Sequence, residues 1–138
     1  MSENHLPHGD ITRVIIECFF GVFKELGAGF SERVYQRAMR IALVERGFRV
    51  GYNVEMCVIF HGQNIGTFFA DLVVNETILL EIKARPQIEP ADYGQVINYL
   101  NIAGGGVGLL LNFGPQSADF KRVVQGDPLH SLPNLRHG

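Results

Sequence analysis

Apolar residues recur along this chain with two different periods, one typical of helices and one typical of strands. Helical spacing occurs in three segments, each bounded by residues that start or stop helices. They are residues 10–26, which Asp10 or Thr12 can cap, residues 31–46, with Ser31 as the cap, and residues 89–103, with Pro90 in the first turn. The pattern therefore predicts three helices, two of which precede any strand.

Strand patterns fill the segments between the second and third helices and after the third. Loose alternation marks residues 49–60, and apolar runs mark residues 65–74, 77–83 and 107–113, with a shorter run at 120–124. Residues 107–113 are apolar in the manner of a strand that is buried on both faces. The order helix, helix, three strands, helix, strand predicts an α/β domain.

The length and composition fit one globular domain. The chain has 138 residues, of which 46% are apolar, and a formal net charge of −2. The globular part is expected over residues 10–124, between a flexible lead-in at 1–9 and a flexible tail at 125–138. A net charge of this sign excludes a general nucleic-acid coat, so binding to nucleic acid would need a local basic patch.

Membrane insertion and secretion are not expected. No apolar run approaches the length of a membrane-spanning helix, and the N-terminus is too polar for a signal peptide. Cys18 and Cys57 lie far apart, in an apolar helix pattern and an apolar strand pattern. We expect both to be free core thiols, which fits a reducing cytoplasm.

Three charged residues interrupt the apolar strand patterns at the middle of the chain. Asp71, Glu81 and Lys83 stand among Leu, Val and Ile. Burying an unpaired charge is costly, so charges within such strands are usually paired, metal-bound or part of a site. If residues 75–77 form a three-residue turn, Asp71 lies opposite Glu81, and Lys83 shares a face with Glu81. A two-residue turn would separate the carboxylates.

Facing carboxylates repel each other, and a divalent cation between them would remove the repulsion. Oxygen ligands suit hard ions such as Mg²⁺ or Mn²⁺. Lys83 would then orient a metal-bound water or stabilise charge on a phosphate. The same pattern fits an exposed edge hairpin in which Asp71 is solvated and Glu81 pairs with Lys83. The apolar residues around the motif, at 68–70 and 78–80, favour the buried site.

The second predicted helix carries two further charged features. Glu32 lies in its first turn, where the helix dipole favours an acid. Arg33, Arg37 and Arg40 recur at i, i+4 and i+7 and form a basic stripe. Such a stripe is either an ordinary solvated face or a contact surface for a phosphate backbone, and the sequence leaves both open.

Together these motifs resemble the small proteins named for a G-x-x-E-x-x-Y motif, within the PD-(D/E)xK nuclease superfamily. The resemblance covers about residues 10–124. The matching positions are Gly29, Glu32 and Tyr35 for the name motif, Ala70-Asp71 for the Pro-Asp pair, Glu81-Ile82-Lys83 for E-x-K, Gln95 to Leu100 for the Q-x-x-x-Y helix, and Leu110 to Gly114 for the last core strand. Ala70 in place of proline is the one departure and leaves the acidic residues intact.

The resemblance implies a fold and a set of residue roles. The fold would be a restriction-endonuclease-like core, a mixed central sheet flanked by helices in ααβββαβ order. Mg²⁺ or Mn²⁺ would be bound by Asp71, Glu81 and the backbone carbonyl of Ile82, and Lys83 would activate the attacking water. Glu32 would complete the acidic cluster, and Gln95 would contact Lys83 or a substrate phosphate. Tyr35 would be a packing residue.

The implied function is hydrolysis of phosphodiester bonds by a metal-activated water, on DNA in preference to RNA. Cutting both strands of a duplex would require a homodimer. Two alternatives stay open. One is a catalytically silent module of the same fold that binds nucleic acid or a protein partner. The other is a metal-dependent hydrolase of a small phosphorylated substrate.

Overall fold

A five-stranded sheet with helices on both faces is formed by residues 8–132, which are the residues that the computed structural model describes. The elements are α1 (Gly9–Leu26), α2 (Glu32–Glu45), β1 (Val50–Phe60), β2 (Gln63–Val74), β3 (Ile78–Lys83), α3 (Pro90–Ile102), β4 (Gly106–Phe113) and β5 (Ala118–Gln125). The strands lie in chain order, and only β3 and β4, which α3 connects, are parallel. The predicted mixed-sheet α/β fold is confirmed.

Each face of the sheet has its own apolar core. Helices α1 and α2 cover one face, where Phe19 and Met39 are fully buried, and α3 covers the other, where Leu100 is fully buried. Strand β4 lies between β3 and β5, and every one of its residues is buried. Its apolar sequence thus reflects burial on both faces, as predicted.

Local signals explain two of the three helix starts. The Ser31 hydroxyl accepts a hydrogen bond from the Val34 N–H at 3.4 Å, which confirms the predicted cap of α2. Helix α3 begins at Pro90, as expected. The predicted cap of α1 is wrong, because the cap residue is His8 and the Thr12 hydroxyl instead donates to the carbonyls of residues 8 and 9.

The turn between β2 and β3 has the three residues that the predicted site requires. The Thr77 N–H donates to the Val74 carbonyl at 2.9 Å, and Val74 pairs with Ile78. Asn75 and Glu76 adopt positive φ angles of 52° and 56°, a conformation that asparagine tolerates better than most residues. Continued from the Leu72–Leu80 pair, this register places Asp71 beside Glu81.

The hairpin of β1 and β2 differs from prediction in three respects. Asn53, with φ 50°, breaks the alternation of β1, so Tyr52 packs in the α1–α2 core and Val54 in the α3 core. Phe68 and Phe69 are 43% and 46% exposed, because the helices leave the outer half of the hairpin, residues 59–69, uncovered. Of the two free cysteines, only Cys18 is a core thiol; Cys57 is half-exposed.

Part of the expected C-terminal tail packs against the domain. Strand β5 extends to Gln125, and the His130 ring nitrogen Nε2 lies 2.6 Å from the Ala103 carbonyl oxygen. The Leu132 N–H donates to the Glu76 carbonyl at 2.9 Å, and the Leu132 side chain is buried. Of the expected lead-in at 1–9, His8 caps α1 and Gly9 is its buried first residue; residues 1–7 and 133–138 lie outside the described residues. Within residues 8–132, no helix is both long and apolar enough to cross a membrane.

Candidate active site

Asp71 and Glu81 lie side by side on β2 and β3, and each carboxylate is bonded to the strand of the other. The Asp71 N–H donates to Glu81 Oε2 at 2.9 Å, and the Ile82 N–H donates to Asp71 Oδ2 at 2.7 Å. The regular backbone pairing of β2 and β3 ends at Leu72 and Leu80, and these two side-chain bonds connect the strands beyond that point. One oxygen of each carboxylate is thereby fixed to the backbone.

Burial makes both carboxylates weaker acids than usual. Glu81 is 3% exposed, and burial, followed by the nearby charge of Asp71, raises the pKa of Glu81 well above its ordinary value. Burial also raises the pKa of Asp71 to about 6, although the Ile82 N–H and the Lys83 ammonium act to lower it. The two acids therefore resist ionising together, and positive charge between them would favour their ionised forms.

Helix α2 brings a third carboxylate and an amide towards this pair. Glu32 is the first residue of α2, and its Oε2 accepts a hydrogen bond from the Ala84 N–H at 3.3 Å, directly after β3. The charge of Glu32 contributes to the raised pKa of both Asp71 and Glu81. The side-chain amide of Gln36 acts on the Asp71 carboxylate and lowers its pKa. Sequence reasoning gave Gln36 no role, although its i, i+4 spacing from Glu32 put it on the same helix face.

The residues around Glu32 determine where α2 begins. Gly29 has φ 103°, which side-chain-bearing residues rarely adopt. The Tyr35 hydroxyl donates to the Gly27 carbonyl at 2.6 Å, and the Tyr35 ring stacks on Phe113 with 4.1 Å between the centroids. The packing role expected for Tyr35 is confirmed. It anchors the helix start that carries Glu32.

Helix α3 places Gln95 and Tyr99 on another side of the carboxylates. Gln95 Nε2 donates to the Tyr99 hydroxyl at 3.2 Å, so the hydrogen bond seen for Gln95 differs from the expected contact with Lys83. Burial and then the charge of Glu81 raise the pKa of Tyr99, with a smaller effect of Asp71. Tyr99 therefore lies within electrostatic reach of both acids.

Sequence reasoning missed a second cation, Arg85, which follows Lys83 by two residues. Asn112 is fully buried on β4; its Oδ1 accepts from the Arg85 N–H at 3.0 Å and its Nδ2 donates to the Arg85 carbonyl at 2.9 Å. Arg85 Nη2 lies 3.2 Å from the buried Asp92. The signal was available in Asn112, a polar side chain in a strand predicted to be buried on both faces.

The arginine stripe lies beside the site and does not enter the carboxylate cluster. Arg33, Arg37 and Arg40 are all exposed on α2, on a face next to the one that carries Glu32 and Gln36. The Arg40 guanidinium lies 5.0 Å from the centroid of the Tyr52 ring. The stripe is therefore available to a molecule that approaches from the α2 side.

The donor atoms at the pair suit a hard divalent cation. No three His, Cys, Asp or Glu side chains among residues 8–132 are arranged to hold a metal ion. Asp71 and Glu81, however, offer oxygen ligands, and a cation bound between them would counter the burial and mutual repulsion that raise the pKa of both acids. The backbone carbonyl of Ile82 would be a third oxygen donor that depends on no side chain.

Comparisons with known proteins identify the family. A search of curated proteins gave no match to this chain. The crystal structure of SSO0001 resembles the chain with a TM-score of 0.51 at 14% identity, over 74% of this chain and 50% of that one. The chain thus spans about half the length of that protein, and the likeness concerns the fold alone. A family model for the PD-(D/E)XK nuclease superfamily matches residues 9–123, from the start of α1 into β5. The chain therefore belongs to the PD-(D/E)XK nuclease superfamily.

Proposed function

We propose that this protein is a metal-dependent nuclease that hydrolyses phosphodiester bonds, in DNA in preference to RNA, at the cluster of Asp71, Glu81 and Lys83. The observation that carries the proposal is the cross-bonded carboxylate pair, buried next to a lysine whose charge lowers the pKa of both acids. Membership of a nuclease superfamily supports it.

Each residue has a proposed task at the scissile phosphate. Asp71, Glu81 and the Ile82 carbonyl would hold Mg²⁺ or Mn²⁺. When bound, such a cation acts as a Lewis acid on the phosphate and lowers the pKa of water. Lys83, on the same strand face as Glu81, orients the attacking water and stabilises the negative charge that develops on the phosphate. Attack by the water oxygen forms one P–O bond while the bond to the leaving strand breaks; the attacking water releases a proton to solvent, and the leaving oxygen takes up a proton from solvent.

Glu32 and Gln95 act around this centre. Glu32 completes the acidic cluster and holds the Ala84 N–H, which keeps the chain after Lys83 in place. Gln95 borders the site from α3 and positions the Tyr99 hydroxyl. With Gly29 and Tyr35 setting the start of α2, these features support our further proposal that the chain is a G-x-x-E-x-x-Y protein.

The surroundings of the site suggest how a strand would approach. Arg33, Arg37 and Arg40 are exposed beside the Glu32 face of α2, and we propose that they contact the phosphate backbone outside the site. A domain of this size spans little of a duplex, so cleavage of both strands would involve a homodimer. A cytoplasmic location stays a prediction.

Cleavage of a substrate panel tests the proposal. Labelled single-stranded, duplex and branched DNA and RNA are incubated with the protein in Mg²⁺, Mn²⁺ or EDTA. We expect cleavage that requires the metal and that falls by at least ~100-fold in Lys83→Ala, because the variant lacks the charge that stabilises the transition state. Lys24→Ala, which removes an exposed lysine on α1, should cleave like the wild type.

Failure of the folded wild type to cut any substrate would overturn the nuclease proposal. The net charge of −2 favours a catalytically silent module as the second candidate. Salt-sensitive binding of nucleic acid without cleavage in any metal would support that module. A hydrolase of small phosphorylated substrates would instead reveal itself when a free nucleotide competes with the oligonucleotide for the site.

A further inference from the structure

A groove of about 640 Å³ lies between α3 and the β1–β2 hairpin, beside the proposed active site. Its volume falls within the range of small-molecule sites, roughly 300–1,000 Å³. Val58 and Phe68 line it from the hairpin, and Gly94, Gln95, Asn98 and Tyr99 line it from α3. Nothing in the proposed hydrolysis uses this groove, except that Gln95 and Tyr99 belong to both.

We infer that the groove binds an unpaired nucleobase of the substrate strand, so that single-stranded nucleic acid, or a single-stranded segment, is the preferred substrate. The inference deepens the proposed function and rests on it. It would give the protein a neutral subsite for the base next to a charged site for the phosphate.

The chemistry of the lining supports a neutral, planar ligand. None of the residues that line the groove is charged, so a phosphate would find no cation there. Gln95, Asn98 and Asn101 offer amide donors and acceptors, which match the hydrogen-bonding edge of a base. Phe68 is 43% exposed and presents an aromatic ring on which a base can stack, an interaction that contributes about 1–3 kcal/mol.

The position of the groove relative to the carboxylates supports the same occupant. Tyr99, only 8% exposed, lies between them: its ring centroid is 6.0 Å from that of Phe68, and the charge of Glu81 acts on its hydroxyl. Lys83 is the last residue of β3, two residues after Glu81, so its ammonium is available to a phosphate at the carboxylates. A base in the groove would thus belong to a nucleotide near the scissile bond.

Pairing state decides which base can enter. In a duplex, both faces of a base are stacked and its edge is paired, so neither is available to Phe68 or to the amides. An unpaired base has both free, and its phosphate can reach the carboxylate end of the groove. The groove therefore selects against an intact duplex at the site of cleavage.

Gly94 offers a direct way to close the groove. A Cβ added at this helical glycine would meet no atom within 4 Å, so a leucine would fit there and occupy the groove. Gly21 on α1 is a matched control, because it is also helical, also has no atom within 4 Å of an added Cβ, and lies away from the groove. Both replacements favour the helix, since glycine is a poor helix former.

The test measures binding of labelled single-stranded DNA and RNA and of the matching duplex by fluorescence anisotropy in EDTA, where no cleavage occurs. We expect Gly94→Leu to weaken single-strand binding at least tenfold and to leave duplex binding unchanged. Gly21→Leu should bind like the wild type. Neutral nucleosides should compete with the labelled single strand for the groove of the wild type, whereas inorganic phosphate should not compete for the groove.

Phe68→Ala provides a second variant, which removes the stacking ring from β2 and leaves α3 unchanged. Single-strand affinity that is equal in the wild type, Gly94→Leu and Phe68→Ala overturns the inference, as does a wild-type preference for duplex. Cleavage of the substrate panel by the wild type tests the proposed function separately. Cleavage without groove-dependent binding refutes the nucleobase site alone, and groove-dependent binding without cleavage refutes the nuclease alone.

Discussion

Asp71 makes the stability of the protein depend on pH. Burial raises its pKa from 3.8 to about 6, so between these pH values the folded state binds more protons than the unfolded state. The free energy of unfolding must then fall as the pH rises through this window and stay reduced above it. The raised pKa of Glu81 acts in the same direction.

Replacement of Asp71 by asparagine should therefore stabilise the metal-free protein at high pH. The amide oxygen can still accept the Ile82 N–H without a buried charge. We expect Asp71→Asn to raise the free energy of unfolding at pH 8 by on the order of 1–3 kcal/mol, and to change it little at pH 4. Urea unfolding in EDTA measures this, with Asp119→Asn at an exposed position as control. Equal or lower stability of Asp71→Asn at pH 8 would contradict the expectation.

The sequence predicted the residues whose positions depend on local geometry. Asp71 and Glu81 meet because a three-residue turn sets the register of one hairpin, and turn length is a local property. Gln36 and Arg85 escaped notice because their contacts come from other elements. Gln36 reaches Asp71 from α2, and Arg85 is held by β4. Such contacts require the relative placement of elements, which no local pattern contains.

At the scale of elements, Asn112 joins β4 to the segment that follows β3. Its side chain satisfies both backbone groups of Arg85, and the two residues are 27 positions apart in the chain. The segment it holds begins directly after Lys83 and includes the Ala84 N–H that Glu32 binds. Two elements, α2 through Glu32 and β4 through Asn112, therefore hold the chain directly after the strand that carries Lys83.

Loss of this connection should destabilise the protein. Asn112→Leu has a similar volume but leaves the part-buried N–H and carbonyl of Arg85 without their partner, at a cost of about 1–3 kcal/mol for the two groups together. We expect the free energy of unfolding to fall by at least that amount in urea. Gln116→Leu, at an exposed amide, controls for added apolar surface. An Asn112→Leu protein as stable as the wild type would show that water satisfies these groups equally well.

Element patterns predicted the three helices and the five strands, but they did not predict which strand residues stay exposed. The outer half of the β1–β2 hairpin has the apolar composition of a core strand, yet Phe68 and Phe69 are exposed because the helices do not pack closely against it. The break in β1 at Asn53 was also missed, because one positive φ angle leaves no trace in hydrophobic periodicity. Both features depend on how the helices pack against the two faces of the sheet.

At the scale of the whole molecule, four elements from different parts of the chain meet at the carboxylates. Helix α2 contributes Glu32, the hairpin of β2 and β3 contributes the acids themselves, and α3 contributes Gln95 and Tyr99. A cation that binds this centre would bind the folded state and not the unfolded chain. Its effect should thus appear in the folding equilibrium of the entire domain.

Mg²⁺ should therefore raise the thermal unfolding midpoint of the wild type at pH 8. At a Mg²⁺ concentration one hundred times the Kd, the free energy of unfolding should rise by about 2.7 kcal/mol. Asp71→Asn and Glu81→Gln should show no gain, because each lacks one of the two carboxylates. Thermal unfolding with and without MgCl₂, at matched ionic strength in KCl, provides the measurement. Equal gains in all three proteins would place the cation elsewhere.

Gly94 carries a consequence for laboratory evolution. Glycine inside a helix costs about 1 kcal/mol relative to alanine, and the open space at Gly94 admits many larger side chains. A library screened only for survival on heating should therefore accumulate replacements at this position. If the groove binds a base, the selected variants would be more stable to heat than the wild type but would bind single-stranded nucleic acid more weakly. Screening for both properties together should keep the glycine.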